Sequence, residues 1–326
     1  MMKKFFIDLN SNRHIPINSN NNTKELNFYY IRFEENLAKL NHLIHSFDPN
    51  GIPLNSTYID VEESKLHYYP ISIGQVGLAV FHSWLININE DKEAHFVQIF
   101  KWFMDNRIED EKLGVYWETD VPKPEYNVYT PWKSAFSQSR GISILLRAWQ
   151  LSGDEQYLAV ASRALIPFQY DISEGGVSVD RASGETFYEE YVASAPTRVL
   201  DGHNFSLFGL YDYIRAVTDE KYAAQRQLAI RLFEEGIEGL IRQLPKFDLG
   251  FWLRFNRCDL PNYPQNDPCT IGYLRLVCAQ LKILGQLSGR SELLEYSRKY
   301  KKYSSFFNIL RMYYLKYRAL RKLNRL

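Results

Sequence analysis

The connections between helical segments alternate in length along this chain, and that alternation limits the folds it can adopt. Nine segments carry apolar residues at helical spacing, each long enough to favour helix over strand. They are 26–48, 71–88, 91–108, 131–151, 154–171, 199–217, 220–244, 269–288 and 291–320. Four connections are short turns, and four are long loops, at 49–70, 110–130, 172–198 and 245–268. Strict alternation places every long loop at the same end of a helical assembly.

A ring of helical hairpins satisfies this pattern if each long loop joins the two helices of one hairpin. The expected fold is mainly α, an α/α toroid with an incomplete barrel of about four helical hairpins. The second helix of each pair opens with small and polar residues, which permit close approach around an axis. Their N-termini would face the long-loop rim, where helix dipoles favour anions. A plain helical bundle is the alternative.

The connections also carry local signals. Short turns place Ser, Thr, Asp or Asn where a helix N-cap belongs. The long loops hold Pro, Gly and short strand-like pieces, and 175–179 with 186–190 predict a hairpin turning at 182–184. Short β-hairpins are therefore expected in the long loops of one rim.

Charge and composition predict three regions along the 326 residues. An Asn- and Ser-rich stretch predicts a flexible arm over 1–25, followed by a helical domain over 26–297. A basic amphipathic C-terminal helix is expected over 298–326, which holds ten Lys or Arg and no Asp or Glu. The rest of the chain then has 29 basic and 38 acidic residues, a net charge of −9.

The basic C-terminal helix suggests several partners. It could dock on an anionic membrane surface or on an acidic polysaccharide, or simply pack on the helical domain with its bases solvated. A homodimer is a further hypothesis, and nucleic acid is not an expected partner.

The three cysteines, Cys258, Cys269 and Cys278, fit neither a disulfide framework nor a zinc site. Reduced thiols predict a cytoplasmic setting, with membrane association left open. The N-terminus has three consecutive apolar residues, too few for a signal-peptide core, and no apolar run approaches the ~20 residues of a membrane span. No metal-ligand spacing, phosphate-binding glycine loop or Gly-x-Ser-x-Gly motif is present, so no metal or cofactor is expected.

The densest cluster of ionisable groups lies in the third long loop. If 186–191 is a strand, Tyr188 and Glu190 share one face, and Glu189 and Tyr191 share the other. A carboxylate beside a phenol suits proton transfer. A solvated edge strand is the alternative.

Several residues near the inner-helix openings are candidates for binding a sugar or its carboxylate. Arg254 offers a bidentate carboxylate clamp, and Trp132 a stacking platform. Structural roles are the alternatives: an ion pair for Arg254, core packing for Trp132 and an N-cap for Asp201. The candidates are Trp132, Gln138, Arg140, Arg198, His203, Asn204 and Arg254.

Motifs in a consistent order resemble the C-terminal domain of D-glucuronyl C5-epimerases, over about residues 66–285. They are Pro131-Trp-x-Ser-Ala-x-x-Gln138, Tyr188-Glu-Glu-Tyr191, Val199-Leu-x-Gly202, Phe205-Ser-Leu-x-Gly-Leu-Tyr-Asp212 and Leu244-Pro. The resemblance implies an α/α barrel and a cofactor-independent isomerase. Such an enzyme inverts C5 of glucuronate residues in an acidic, heparosan-like polysaccharide.

The resemblance also implies roles for individual residues. Glu190 and Tyr191 match the family's Glu-Tyr pair and are expected to transfer protons, with Tyr188 and Tyr263 as further candidates. Arg254 matches an arginine placed near the substrate carboxylate.

Two tyrosine positions of the family are not tyrosine here: one is Phe251, and another falls near Asn266. These departures keep two other hypotheses open. The chain could be a catalytically reduced glycan-binding or assembly protein of polysaccharide synthesis, or a polysaccharide hydrolase or lyase on the same toroid.

Overall fold

A computed structural model describes residues 15–18, 23–41, 43–57, 65–129 and 131–325, and this part of the chain is mainly helical. The helices are α1 Glu35–Lys39, α2 Pro70–Ile86, α3 Glu90–Asp105, α4 Ala135–Ser152, α5 Glu155–Arg163, α6 Leu200–Ala216, α7 Ala223–Phe247, α8 Ile271–Ser288, α9 Ser291–Lys301 and α10 Phe306–Lys322. The strands are β1 Ile44–Phe47, β2 Pro53–Ser56, β3 Leu66–Tyr68, β4 Ile108–Asp110, β5 Gly114–Tyr116, β6 Glu118–Thr119, β7 Trp132–Lys133, β8 Ser178–Val179 and β9 Phe187–Tyr188.

Four inner helices pack one after another, in the order α2, α4, α6 and α8. Each also packs closely against the helix that follows it, α3, α5, α7 or α9. The arrangement agrees with an incomplete α/α toroid of four helical hairpins. Among helices that follow one another in sequence, the closest pairs are joined by the short turns, so the expectation that long loops join the helices of a hairpin was wrong.

Two of the four short turns contain a predicted residue that caps the following α-helix, whereas Asp219 caps a short 3-10 turn before α7 and α9 begins without a side-chain cap. The Asn89 side chain accepts hydrogen bonds from the first backbone N–H groups of α3, and Asp154 does so for α5. Each cap satisfies donors that a helix cannot pair internally.

The long loops contain short antiparallel hairpins, as predicted. β4 pairs with β5, β6 with β7, and β8 with β9. The β8–β9 pair, with Val179 opposite Phe187, is the hairpin predicted in the third long loop. β1, which precedes the first long loop, and β2 and β3, which lie within it, form a separate three-stranded sheet.

Residues 26–48 do not form the predicted helix. Most of this segment is extended, with only α1 helical and β1 at its end. Tyr29 and Tyr30 are buried, and side chains of inner helices satisfy the backbone: the Leu26 amide donates to Gln150 and the Tyr29 amide to His82. These long-range contacts outweigh local helix propensity.

A buried charge network attaches this segment to the inner helices. Asp212 on α6 accepts a hydrogen bond from the Tyr30 hydroxyl at 2.8 Å. It also pairs with Arg147 on α4 at 2.9 Å and with Arg215 at 3.3 Å. Burial alone would raise the pKa of Asp212, but the two arginines hold it below its usual value. The N-terminal segment is thus part of the core.

The predicted N-terminal arm, 1–25, lies mostly outside the described residues. Where it is described, Ile17 forms an antiparallel bridge with Ile31, and the Asn18 amide donates to the Tyr30 carbonyl at 2.9 Å. Residues 15–18 therefore pair with the buried segment.

The C-terminal segment forms two helices, where the periodicity predicted a single helix over 291–320. The chain leaves helix geometry after Lys302, and the Ser305 side chain caps α10 by accepting from the Asn308 amide. The Ser304-Ser305 pair was the sequence signal for this break. In the described part of the chain, no helix has both the length and the apolar character needed to cross a membrane.

Candidate functional site

A pocket of about 240 Å³ lies at the N-terminal ends of the inner helices. All four helices contribute to its wall, and the third long loop adds a carboxylate and a phenol. The residues that they contribute include Ser72, Gln75, Phe136, Glu190, Tyr191, Asp201, Phe205 and Tyr273. The inner-helix N-termini therefore face the rim that holds the ionisable cluster.

Glu190 and Tyr191 both reach this pocket because strand β9 ends at Tyr188. The expected alternation, which separated Glu190 from Tyr191, was wrong for this reason. The Glu190 carboxylate packs directly over Gly202, where an added Cβ would lie 2.4 Å from its Oε2. A glycine is needed at position 202 to admit this close approach.

Two carboxyl groups in the pocket have perturbed acidities. Burial raises the pKa of Glu190, and a hydrogen bond from Tyr191 and the charge of Lys123 oppose this shift. The pKa of Asp201 is raised further, by burial and by the nearby Glu190. Two coupled carboxyls of this kind do not both ionise readily, so one of them holds a proton near neutral pH.

Lys123 supplies the positive charge at this site, and the sequence reasoning missed it. Its Nζ lies 4.5 Å from the ring centroid of Tyr191. The side chain is buried, which lowers its pKa, while Glu125 and Glu190 raise it. A lysine between two prolines in a long rim loop was the available signal.

An aromatic stack holds Tyr191 in place. Its ring lies 5.1 Å from Tyr126 on one side and 5.1 Å from Trp132 on another. Tyr263 stacks on Tyr126 at 5.5 Å and donates to Asp267, so it lies one ring away from Tyr191. The buried Trp132 ring packs against Tyr191 instead of offering an exposed sugar platform.

Tyr188 and His203 lie in the core, outside the pocket wall. The Tyr188 hydroxyl donates to the Leu232 carbonyl, and its amide donates to His203 Nδ1 at 2.9 Å. Burial lowers the pKa of His203 to about 3, which keeps the ring neutral. Both side chains join the third long loop to α6 and α7.

Gln138, Asn204 and Arg140 are also fully buried. Gln138 donates to the Val115 carbonyl at 2.8 Å, and Asn204 donates to Gln280 at 3.0 Å. The Arg140 guanidinium lies 4.6–5.4 Å from the ring centroids of Tyr29, Phe33, Phe136 and Phe205. In this structure these contacts leave all three polar groups inside the protein, away from the pocket surface.

The two predicted rim arginines are engaged elsewhere. Arg198 pairs with Asp180 at 2.6 Å and with Asp259 at 2.8 Å, which fixes the third long loop to its neighbours. Arg254 donates to Asn266 at 2.9 Å. Neither arginine is part of the pocket wall, so the structure does not bring Arg254 together with Glu190.

The N-terminal segment also lines the pocket. Phe33, Ala38, Asn41, Leu43 and Ile44 contribute to its wall. Among the described residues, no group of three or more His, Cys, Asp or Glu side chains could hold a metal ion.

The fold and the pocket together define a helical-toroid protein with an acid–base site at the inner-helix N-termini. The family described as D-glucuronyl C5-epimerase C-terminus matches residues 110–302, and the chain belongs to this family. The match begins at residue 110, later than the start near residue 66 that the motif resemblance gave, and it extends further towards the C-terminus.

Two curated relatives give the scale of the similarity. A D-glucuronyl C5-epimerase of Caenorhabditis elegans is 33% identical over 171 residues, covering 50% of this chain and 28% of the relative. An uncharacterized protein of Methanocaldococcus jannaschii is 24% identical over 197 residues, covering 59% of each. The aligned region therefore spans between about a quarter and three-fifths of these relatives.

Proposed function

We propose that this chain is an isomerase that inverts C5 of glucuronate residues in an acidic, heparosan-like polysaccharide. The supporting observation is the pocket that gathers Glu190, Tyr191 and Asp201 beside the Lys123 ammonium, in a chain of the C5-epimerase family.

The reaction makes two demands on a site. Breaking the C5–H bond sends its electron pair into the adjacent carboxylate and forms an enolate-like dianion, whose charge must be stabilised. A second group must then deliver a proton to the opposite face of C5, which forms the new C–H bond without net oxidation.

The pocket residues suit these two demands. Glu190, which accepts a hydrogen bond from the Tyr191 hydroxyl, is the proposed base that takes the C5 proton. After turnover, Tyr191 is proposed to relay this proton by releasing its own hydroxyl proton to solvent as it receives the one from Glu190, while Asp201 regains a proton from solvent. Asp201, whose raised pKa keeps it protonated, is the proposed donor to the other face. Lys123 is the proposed cation that offsets the developing charge. Asp201 is thus the proposed second proton-transfer group, in place of the family tyrosines that are absent at Phe251 and near Asn266.

Solvent exchange tests the proposal directly. The chain is incubated in D₂O with a heparosan-like polymer, and deuterium at C5 is measured by NMR or mass spectrometry. Incorporation at C5 is expected, together with iduronate in the product. A neutral glucan without a carboxyl group is the control and should take up none. Absence of exchange with every uronate polymer tried would reject the assignment.

The exchange rate should pass through a maximum as pH increases, with a rise on the acid limb and a fall on the alkaline limb. The base must be ionised, so the rate rises with pH through the pKa of Glu190, which burial raises above the usual carboxyl range. The cation must be protonated, so the rate falls as pH rises through the pKa of Lys123, which burial lowers below the usual lysine range.

Initial rates measured across the pH range check this profile. An acid limb at about pH 4, where an ordinary carboxyl titrates, would contradict the role of Glu190. If the fall of the exchange rate at high pH is unchanged in Lys123→Met, this fall would instead be assigned to the titration of Asp201.

A second candidate is a glycan-binding or assembly protein with reduced activity. It is favoured by the two positions where the family has a tyrosine and this chain does not. At these positions, Phe251 packs 3.9 Å beneath the Arg311 guanidinium, and Asn266 accepts a hydrogen bond from Arg254. Polysaccharide binding by the wild type that persists in Tyr191→Phe, without any C5 exchange, would support this candidate.

A hydrolase or lyase is less well supported. A hydrolase needs a second carboxyl group beside Glu190, and Asp248 of the last long loop is instead engaged, since it pairs with Lys299 at 2.6 Å and accepts a hydrogen bond from Tyr303. A lyase would be detected by the ultraviolet absorbance of an unsaturated product.

The cellular setting is also a proposal. All three cysteines are free thiols, which is consistent with a reducing, cytoplasmic compartment.

A further inference from the structure

We propose that α10 docks this protein on an anionic lipid surface, a property separate from the proposed isomerase activity. The outer stripe of α10 consists of Phe307, Leu310, Tyr314 and Tyr317. These side chains are 79%, 42%, 61% and 43% exposed, respectively. Their spacing of three, four and three residues places them on one face of the helix. An apolar face of this kind, left open on a well-packed domain, needs an explanation.

Positive charge flanks the outer stripe. Residues 298–325 contain no carboxylate side chain, and several of their basic side chains are exposed to solvent. The exposed bases around the outer stripe are Lys301, Lys302, Arg311, Arg318 and Arg321. Since the rest of the chain is net acidic, this end of the protein forms a distinct basic surface.

The opposite face of α10 already holds the helix on the domain. Ile309, Met312 and Ala319 are buried against it. Lys316 pairs with Asp267 at 2.5 Å, and the Lys322 ammonium donates to the Tyr263 carbonyl at 3.2 Å. The outer stripe is therefore not needed to fix the helix, and its apolar groups are available to a partner.

The chemistry of this surface favours lipid over the other occupants. Lys and Arg attract anionic headgroups, while Phe, Tyr and Leu enter the interfacial region. A polysaccharide offers no apolar phase for Phe307 and Leu310, and a convex helix has no groove to hold a glycan. The helix would lie on the surface, consistent with its length of 17 residues.

Docking in this way has a geometric consequence. Asp267 and Tyr263, which bind the inner face of α10, belong to the last long loop, and Tyr263 stacks on Tyr126 next to Tyr191. A membrane bound to the outer stripe would hold the long-loop rim close to the lipid.

Sedimentation with vesicles tests the proposal on the full chain. Binding to vesicles of phosphatidylcholine with phosphatidylglycerol is expected to be at least roughly tenfold stronger than to phosphatidylcholine alone, and to weaken with salt. The combined variant Phe307→Ser, Leu310→Ser and Tyr314→Ser should lose this binding. Tyr129→Ser removes a similarly exposed aromatic ring outside α10 and should bind like the wild type.

Several results would overturn the proposal. The first is that the wild type does not bind phosphatidylglycerol vesicles. The second is that it binds equally well with and without the anionic lipid. The third is that the triple variant binds these vesicles as the wild type does. A dimer that the triple variant dissociates, without vesicle binding, would assign the outer stripe to a second copy of the chain. Heparosan binding lost in the triple variant, again without vesicle binding, would assign it to the polymer.

The vesicle test is independent of the catalytic proposal. The triple variant should keep the wild-type rate of C5 exchange on a soluble polymer, because none of its three residues is part of the pocket wall. Vesicle binding without C5 exchange would reject the isomerase while leaving the docking surface intact.

Discussion

Glu190→Gln is expected to lower the rate of C5 deuterium exchange by about 100-fold or more, the usual scale for losing a general base. The amide keeps the size of the side chain and its place over Gly202, but it cannot accept the C5 proton. Exchange into a heparosan-like polymer, measured by NMR at matched protein concentration, gives the rate directly. Thermal unfolding of the variant should change little, since the substitution removes a costly buried charge.

Glu185→Gln is the matched control for this experiment. Glu185 belongs to the same loop, but its carboxylate is partly exposed and pairs with Lys246 away from the pocket. An exposed ion pair contributes about 1 kcal/mol or less, so this variant should fold and exchange like the wild type. Equal losses in the two variants, or a loss in Glu190→Gln that merely follows the unfolded fraction, would remove Glu190 from the mechanism.

Periodicity and capping residues predicted most of the fold. The segments that became α2 to α9 were found in sequence because each carries an apolar stripe, and some of them also have a local start signal, such as Asn89 or Asp154. The β8–β9 hairpin was found for a similar reason, since its glycines and alternating residues are local features. These signals require no knowledge of distant contacts.

Residues 26–48 show where local signals fail. Their apolar spacing fits a helix, yet Tyr29 and Tyr30 are non-helical and bond to His82 and Asp212, which lie far away in sequence. The pairing of helices into hairpins also differed from the prediction, because alternation in loop length does not by itself show which neighbouring helices pack most closely.

The candidate site was predicted in part. Sequence placed Glu190 and Tyr191 at the rim, where the structure has them. It did not find Lys123, and it treated Asp201 as a helix cap, although Val199 occupies the cap position. Whether a polar side chain faces a pocket or the core depends on distant neighbours, as the buried Gln138 shows. The catalytic and binding roles themselves stay predictions.

Asp212→Ala is expected to have the largest effect on folding, a loss of about 3–5 kcal/mol in the free energy of unfolding. The substitution leaves Arg147 and Arg215 buried without their shared carboxylate, and it removes the acceptor of the Tyr30 hydroxyl. Urea denaturation followed by circular dichroism measures the loss, provided that the slope with urea stays unchanged.

Two control variants distinguish the cost of losing this buried network from the cost of losing an exposed aspartate or a single hydrogen bond. Asp219→Ala removes an exposed capping carboxylate after α6, and should cost only about 1 kcal/mol. Tyr30→Phe removes one hydrogen bond but leaves Asp212 paired with both arginines, so its cost should be near 1–2 kcal/mol. If Asp212→Ala were no worse than Asp219→Ala, the buried network would not anchor the N-terminal segment. Because that segment also contributes to the pocket wall, Tyr30→Phe should loosen this wall without touching Glu190, and a change in substrate KM at constant kcat would show that the segment affects substrate binding.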